Sequence, residues 1–175
     1  MEKLSIDDIG TGLKDEPTVS SDWVKWSPNL ELGIPVIDRQ HKHLVGMCND
    51  LHEGLMKFHG GDKASWRAAI ATALRQTVEY ARTHFADEEK LMRASNFEGY
   101  EVHKQHHHDF ILTVSKVLVN FEDVTLPLAF DFADYLRDWI LSHVACEDKL
   151  YCPVIKAFYR NFKLMQQQAQ SQQGE

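Results

Sequence analysis

Tyr100-Glu101-Val102-His103-Lys104-Gln105-His106-His107-His108-Asp109-Phe110 is the stretch that decides the fold. Tyr100, His103, His107, Phe110, Val114, Val117, Leu118 and Phe121 recur at three- and four-residue steps, which is the spacing of one face of an α-helix. Two places on that otherwise apolar face are imidazoles. His103 and His107 lie four apart, so both side chains enter one volume from the same side of the helix.

The neighbouring segments repeat the pattern. Upstream, Ile70, Leu74, Thr77, Ala81, His84, Phe85, Glu88, Leu91 and Met92 share a face of a helix expected over 63–94, with Asp62 as its cap. At about 1.5 Å per residue that rod is on the order of 45 Å long. An earlier helix, 38–59, has Asp38 as its expected N-cap, carries Ile37, His41, Leu44, Val45, Cys48, Leu51, Leu55 and Phe58, and stops at Gly60-Gly61. After the third helix, 100–121, a fourth is expected over 126–151, with Pro127 tolerated in its first turn and Phe132, Ala133, Leu136, Trp139, Ile140, His143 and Val144 on its stripe. Four amphipathic helices with short connections predict an all-α, antiparallel up-down-up-down four-helix bundle over 22–151.

The flanks read differently. Residues 1–21 lack helical periodicity and are expected to be a flexible leader, and 22–37 an extended arm docked through Trp23 and Trp26. Pro153 is expected to end or kink the fourth helix. Beyond it, Val154, Ile155, Phe158, Tyr159 and Phe162 suggest a short fifth helix over 152–165, its 153–165 stretch a candidate contact for a protein partner or a second copy. The glutamine-rich run 166–175 is expected to be disordered.

Composition narrows the function. The 175 residues are 43 % hydrophobic and 26 % charged, an ordinary globular balance with room for one core. No run is long enough to span a bilayer, and Met1 to Pro17 lack the basic start and apolar stretch of a secretory signal. The three cysteines, Cys48, Cys146 and Cys152, form no disulfide framework or zinc ribbon, which fits a reducing compartment and makes the cytoplasm the expected location. A net charge of −7 with 19 dispersed Lys and Arg argues against nucleic acid as a partner.

What stands out is ten histidines. His84 and Glu88 are four apart, like His103 and His107, while His41 and His143 are the polar members of the other two inward faces. A lone buried histidine is ordinarily a hydrogen-bonded core residue. Five imidazoles and two carboxylates converging without a metal, however, leave polar groups unsatisfied at about 1 to 3 kcal/mol each. A metal cluster removes that conflict.

These stretches resemble the bacterial hemerythrins. The likeness is carried by Gly33-Ile34-Pro35-Val36-Ile37-Asp38-Arg39-Gln40-His41, by His84-Phe85-Ala86-Asp87-Glu88-Glu89, by His103 to Phe110, and by Trp139-Ile140-Leu141-Ser142-His143 through Asp148-Lys149-Leu150-Tyr151, over about Trp23 to Tyr151. The resemblance implies two iron ions, one held by His103, His107 and His143, the other by His41 and His84, with Glu88, Asp148 and an oxo or hydroxo group bridging them. The resemblance further implies that the second iron keeps an open position where dioxygen would bind reversibly, for storage, delivery or sensing, with no catalytic residues. Leu44, Trp139, Ile140 and Val144 would line a dry dioxygen pocket. A first shell dominated by neutral imidazole favours ferrous iron more than the carboxylate-rich sets of di-iron oxidases do. Two other readings share the scaffold: a di-iron peroxidase, ferroxidase or nitric-oxide-handling enzyme, and a redox or oxygen signalling module acting through the arm or the fifth helix.

One spacing strains the pattern. His143 and Asp148 are five apart, about 140° around an ideal helix, whereas Glu147 would fall in line. The resemblance favours Asp148, so a locally widened or frayed helix with an i to i+5 turn is expected there. His106 and His108 are expected to be solvated, His43, His52 and His59 to lie off the cluster with His52 the best candidate for a supporting contact, and Cys48 and Cys146 to be small core or boundary residues.

Overall fold

The computed structural model describes residues 23–57, 63–119 and 125–171, with the side chains of 63–66 and of 69 outside the description. A 3-10 turn, Pro28–Leu30, precedes α1 (Pro35–Lys57), α2 (Lys63–Ala94), α3 (Tyr100–Val119) and α4 (Leu126–Ser142). A π-helical turn, His143–Glu147, then leads without a break into α5 (Asp148–Ser171). No strand occurs among the described residues. No helix among them is long and apolar enough to cross a membrane.

Two apolar clusters set the direction of each rod. One gathers Leu44, Cys48, Leu51, Leu74, Phe85, Phe110, Val114, Phe132, Leu136, Ile140 and Val144. The other gathers Leu32, Ile34, Ile37, Leu91, Met92, Tyr151 and Ile155, with Tyr100 against it. Along α1 the chain passes from the second cluster at Ile37 to the first at Leu44; along α2 it returns, from Phe85 to Leu91. From Tyr100 to Phe110, α3 rises again, and Ile140 to Tyr151 descends. This alternation is the up-down-up-down bundle, with α1 packed on α2 and α4, and α2 on α3. Phe110 ties α3 to α4 by lying 4.0 Å from the Trp139 ring.

The helix ends follow local chemistry. Thr125 caps α4 by accepting the Leu128 N–H, and Pro127 sits in the first turn, where no intrahelical donor is needed. Asn96 closes α2 in the left-handed region (φ 55°), with the Phe97 N–H returning to the Met92 carbonyl at 3.0 Å.

Several expectations need correction. Pro35, not the residue after Asp38, opens α1, because proline at a helix start is preset in φ and gives up no needed N–H. Asp38 lies inside the first turn and reaches backward, accepting from Leu32 N (2.7 Å) and Gly33 N (2.9 Å). Gly33, at φ 70°, supplies the backbone reversal. The arm is therefore folded onto the helix start over its last residues and includes a helical turn.

Pro153 does not end the helix and no separate 152–165 helix is present, since α5 runs through Pro153. Pro153 and Lys149 both lie on the exposed side, so the carbonyl that loses its donor faces water. Gln166–Ser171, expected to be disordered, continues α5, because glutamine is a good helix former once a packed segment has nucleated the rod. The leader 1–21, Phe58, His59, Gly60-Gly61, Asp62, Phe121 and the last four residues of the tail lie outside the described residues.

Trp23 and Trp26 pack against the first cluster, and Asn49 clasps the arm: its Oδ1 accepts from Val24 N at 2.8 Å and its Nδ2 donates to Val24 O at 3.1 Å. Asn49→Ala leaves both Val24 groups unpaired in a buried place, an expected loss of about 2 to 4 kcal/mol. Urea unfolding measures it, with earlier proteolysis near Trp23 as the local sign.

Candidate metal centre

The two apolar clusters are separated by a polar layer. His41, His84, Glu88, His103, His107, His143 and Asp148 all lie in it, each no more than 3 % exposed. α1, α2 and α3 each supply at least one member, and the π turn after α4 and the start of α5 supply His143 and Asp148.

Glu88 stands at the middle. Its Oε1 is 3.4 Å from His41 Nε2, while Oε2 is 3.6 Å from His84 Nε2, 3.3 Å from His107 Nε2 and 3.9 Å from His103 Nε2. Asp148 also faces both ways: Oδ2 is 3.2 Å from His41 Nε2, and Oδ1 is 3.4 Å and 3.2 Å from the Nε2 atoms of His103 and His143. Two groups of donor atoms result, Glu88-His103-His107-His143 and His41-His84-Glu88, each with its atoms within 4.8 Å of one another. Glu88 belongs to both.

Hydrogen bonding does not account for this packing. Both nitrogens of His41, Glu88 Oε2, His103 Nε2 and both oxygens of Asp148 are buried without a hydrogen-bond partner. Native interiors seldom tolerate such orphans, and here five of the six, all but His41 Nδ1, are turned into the same layer. Burial drives His84 down to about 3 and His143 to about 2, so their rings are neutral lone-pair donors. Burial, reinforced by the charge of Glu88, lifts Asp148 to about 6, whereas the surrounding imidazoles hold Glu88 well below the usual carboxylate range despite its burial. His41 is pushed down by burial but lifted on balance to about 9 by Asp148 and Glu88. The layer as it stands calls for positive charge, which a cation among these atoms would supply.

The wide turn expected from the five-residue spacing is present. His143–Glu147 is π-helical, and the Asp148 N–H bonds the His143 carbonyl. Asp148 is thereby turned inward, while Glu147 faces out beside His106 at 3.5 Å. Cys146, expected at a core or boundary position, is exposed, because the added residue rotates it away from the bundle. Cys48 and Cys152 are buried, and burial pushes their thiols to about 12 and about 11, which leaves them protonated.

Of the expected pocket residues, Leu44, Ile140 and Val144 are buried in the first apolar cluster. Trp139 is half-buried, with its ring stacked on His143 at 4.2 Å. His52 stacks on Trp23 at 4.1 Å, fastening the arm rather than the centre. His108 is exposed and His106 half-buried.

The reading from sequence missed the side chains that brace the cluster. Tyr151 is fully buried and donates its hydroxyl to Glu88 Oε1. Gln40 and Glu89 approach the outer nitrogens of His84 and His107, and Phe85 stacks on His107 at 3.8 Å. Gln40, Phe85 and Glu89 each sit beside a member of the cluster in sequence, the one signal that could have singled them out.

An antiparallel four-helix bundle with a buried layer of imidazoles and carboxylates, shaped to hold cations, defines the class. The chain belongs to the hemerythrin family, since a model of the Hemerythrin HHE cation binding domain matches residues 32–155. It is similar to the bacteriohemerythrin of Stenotrophomonas maltophilia (strain R551-3), 30 % identical over 141 residues, 78 % of this chain and 84 % of that one. Bacteriohemerythrin of Pseudomonas aeruginosa (strain UCBPP-PA14) is 34 % identical over 134 residues, 75 % of this chain and 80 % of the relative. Myohemerythrin of Sipunculus nudus is 28 % identical over 116 residues, covering 66 % and 89 %. In fold, a wild-type hemerythrin crystal structure superposes with a TM-score of 0.61 at 24 % identity, covering 76 % of this chain and 98 % of that one.

The π turn carries one residue more than an α-helical turn. Deleting Ala145 is expected to convert it to regular helix with His143 and Asp148 four apart and α5 still in phase. Adding an alanine there instead turns α5 by about 100° and drags Asp148, Tyr151 and Ile155 out of the interior. Urea denaturation should show the insertion costing more than about 4 kcal/mol and the deletion clearly less.

Proposed function

We propose that the chain binds dioxygen reversibly at a pair of iron ions held by the seven buried groups. The carrying observation is the division of the donors into two sets that share Glu88, with Asp148 turned the same way. His103, His107 and His143 would hold one iron and His41 and His84 the other, with both carboxylates spanning the pair and a solvent-derived oxo or hydroxo group completing it. The two-histidine half has one protein donor fewer, which leaves the place for a small outside ligand.

When bound, a ferrous pair supplies the two electrons that reversible capture of dioxygen draws on. The chain supplies the setting. Neutral imidazoles bring no charge of their own, so the lower oxidation state is favoured over that in a carboxylate-rich set. Leu44, Ile140 and Val144 exclude water from one side, and the Trp139 ring covers His143. Burial and the two nearby carboxylates hold the Tyr151 phenol well above its ordinary value, so it keeps its proton and donates to Glu88 Oε1. A donor set richer in imidazole than in carboxylate supports a carrier, store or sensor over a carboxylate-rich di-iron oxidase.

Purified protein is expected to contain two irons per chain, and the reduced form mixed with air to give a long-lived coloured species that reverts under vacuum. His107→Ala should lower iron to one per chain or less and abolish that reversal. Rapid passage to the oxidised form with release of hydrogen peroxide would overturn the carrier reading in favour of an oxidase.

A further inference from the structure

Two side chains outside the proposed ligand set brace the cluster from opposite flanks, and they differ in charge. On α1, Gln40 is 1 % exposed. Its Nε2 donates to Asp87 Oδ2 at 2.6 Å, and its Oε1 lies 3.1 Å from His84 Nδ1. Asp87 fixes the amide: the end that carries hydrogens must face the carboxylate, so the carbonyl faces the ring. A carbonyl oxygen only accepts, which puts the His84 proton on Nδ1 and leaves the Nε2 lone pair facing Glu88.

On α2, Glu89 Oε1 is 3.3 Å from His107 Nδ1, and His107 Nε2 points inward, 3.1 Å from His143 Nε2. Phe85 covers the ring at an interplanar angle of 5°, and Arg93 Nη1 lies 3.8 Å from Glu89 Oε2, so both partners of this hydrogen bond are steadied. His84 and His107 thus turn the same edge inward. One leans on an uncharged amide, the other on a carboxylate. His41, the remaining imidazole of the two-histidine set, has no hydrogen-bond partner on its Nδ1 among the described residues.

We infer that Gln40 and Glu89 are positioning residues that set the two halves of the centre apart, with Glu89 making its half the firmer cation holder. This rests on the ligand assignment proposed above. A carboxylate pulling on the outer N–H shifts electron density toward the inner nitrogen and raises its strength as a donor, more than a neutral carbonyl does. The three-histidine half therefore has the donor set better suited to the higher charge. The two-histidine half, with no carboxylate bonded directly to the outer nitrogen of either ring, holds its cation more loosely than the loss of one imidazole alone accounts for. Asymmetry is built into the second layer as well as into the ligand count.

The test is titration of cobalt(II) into full-length, metal-depleted protein, following the two binding steps by absorption and the exchangeable imidazole N–H signals by paramagnetic NMR. Glu89→Gln should weaken the tighter step about tenfold and leave the other in place. Gln40→Glu should tighten the weaker step by a similar factor, and the double variant, which moves the carboxylate across the centre, should narrow or invert the gap. Far-UV circular dichroism of the metal-free forms checks that all three variants fold; the double variant keeps the net charge and serves if one single variant fails. Unchanged affinities in both single variants, or both acting on the same step, would overturn the inference. Fewer than two cobalt ions bound by the unaltered chain would instead remove the ligand assignment beneath it.

Discussion

Everything in this bundle is arranged around seven titratable side chains confined to one dry layer between two apolar clusters. Water cannot reach them, and their mutual geometry fails to satisfy their hydrogen-bonding capacity. Each orphaned atom costs about 1 to 3 kcal/mol, a large toll against a typical net folding stability of about 5 to 15 kcal/mol. A protein can maintain such a layer only if something compensates it. Cations between the imidazoles and carboxylates would do so, and the apolar clusters above and below hold the rods in register meanwhile.

Register is the second level of the design. Each rod must cross the layer at the right phase, and the crossing points are fixed by neighbours that are not themselves in the layer. Asn49 fastens the arm through Val24, Asp38 folds the arm's end onto the start of α1, and Phe110 with Trp139 joins α3 to α4 where no main-chain bond does. Tyr151 links the last rod to the second by donating to Glu88. These contacts convert four marginal helices into a frame rigid enough to keep charged groups buried.

Much of this could be read from the chain alone. Helical stripes survive in sequence because a buried face must be apolar, so an imidazole within one stands out; hence His41, His84, His103, His107 and His143 were visible. Even the wide turn was legible, since five residues between His143 and Asp148 do not fit a regular helix. The positions that escaped are those where one residue has two plausible local uses. Asp38 looks like a cap but braces backward; Pro153 looks like a stop but sits on a solvated edge. The glutamine run looks unstructured but, as far as Ser171, extends a rod already started by Tyr151 and Ile155. The hydrogen bonds of Gln40 and Glu89 join different helices, and no periodicity within one segment reports them.

Continuity through Pro153 has a mechanical side. Asp148 is the first residue of α5, wholly buried against His41 and His143, whereas the last turns of the same helix stand in water. Twenty-four residues make a shaft about 36 Å long. Because the helix continues through Pro153, a tilt of its buried first turn would swing the distant tip through a wider arc, and a load placed on the tip would be felt at the carboxylate. The protein carries a lever whose short arm rests on its most confined atoms.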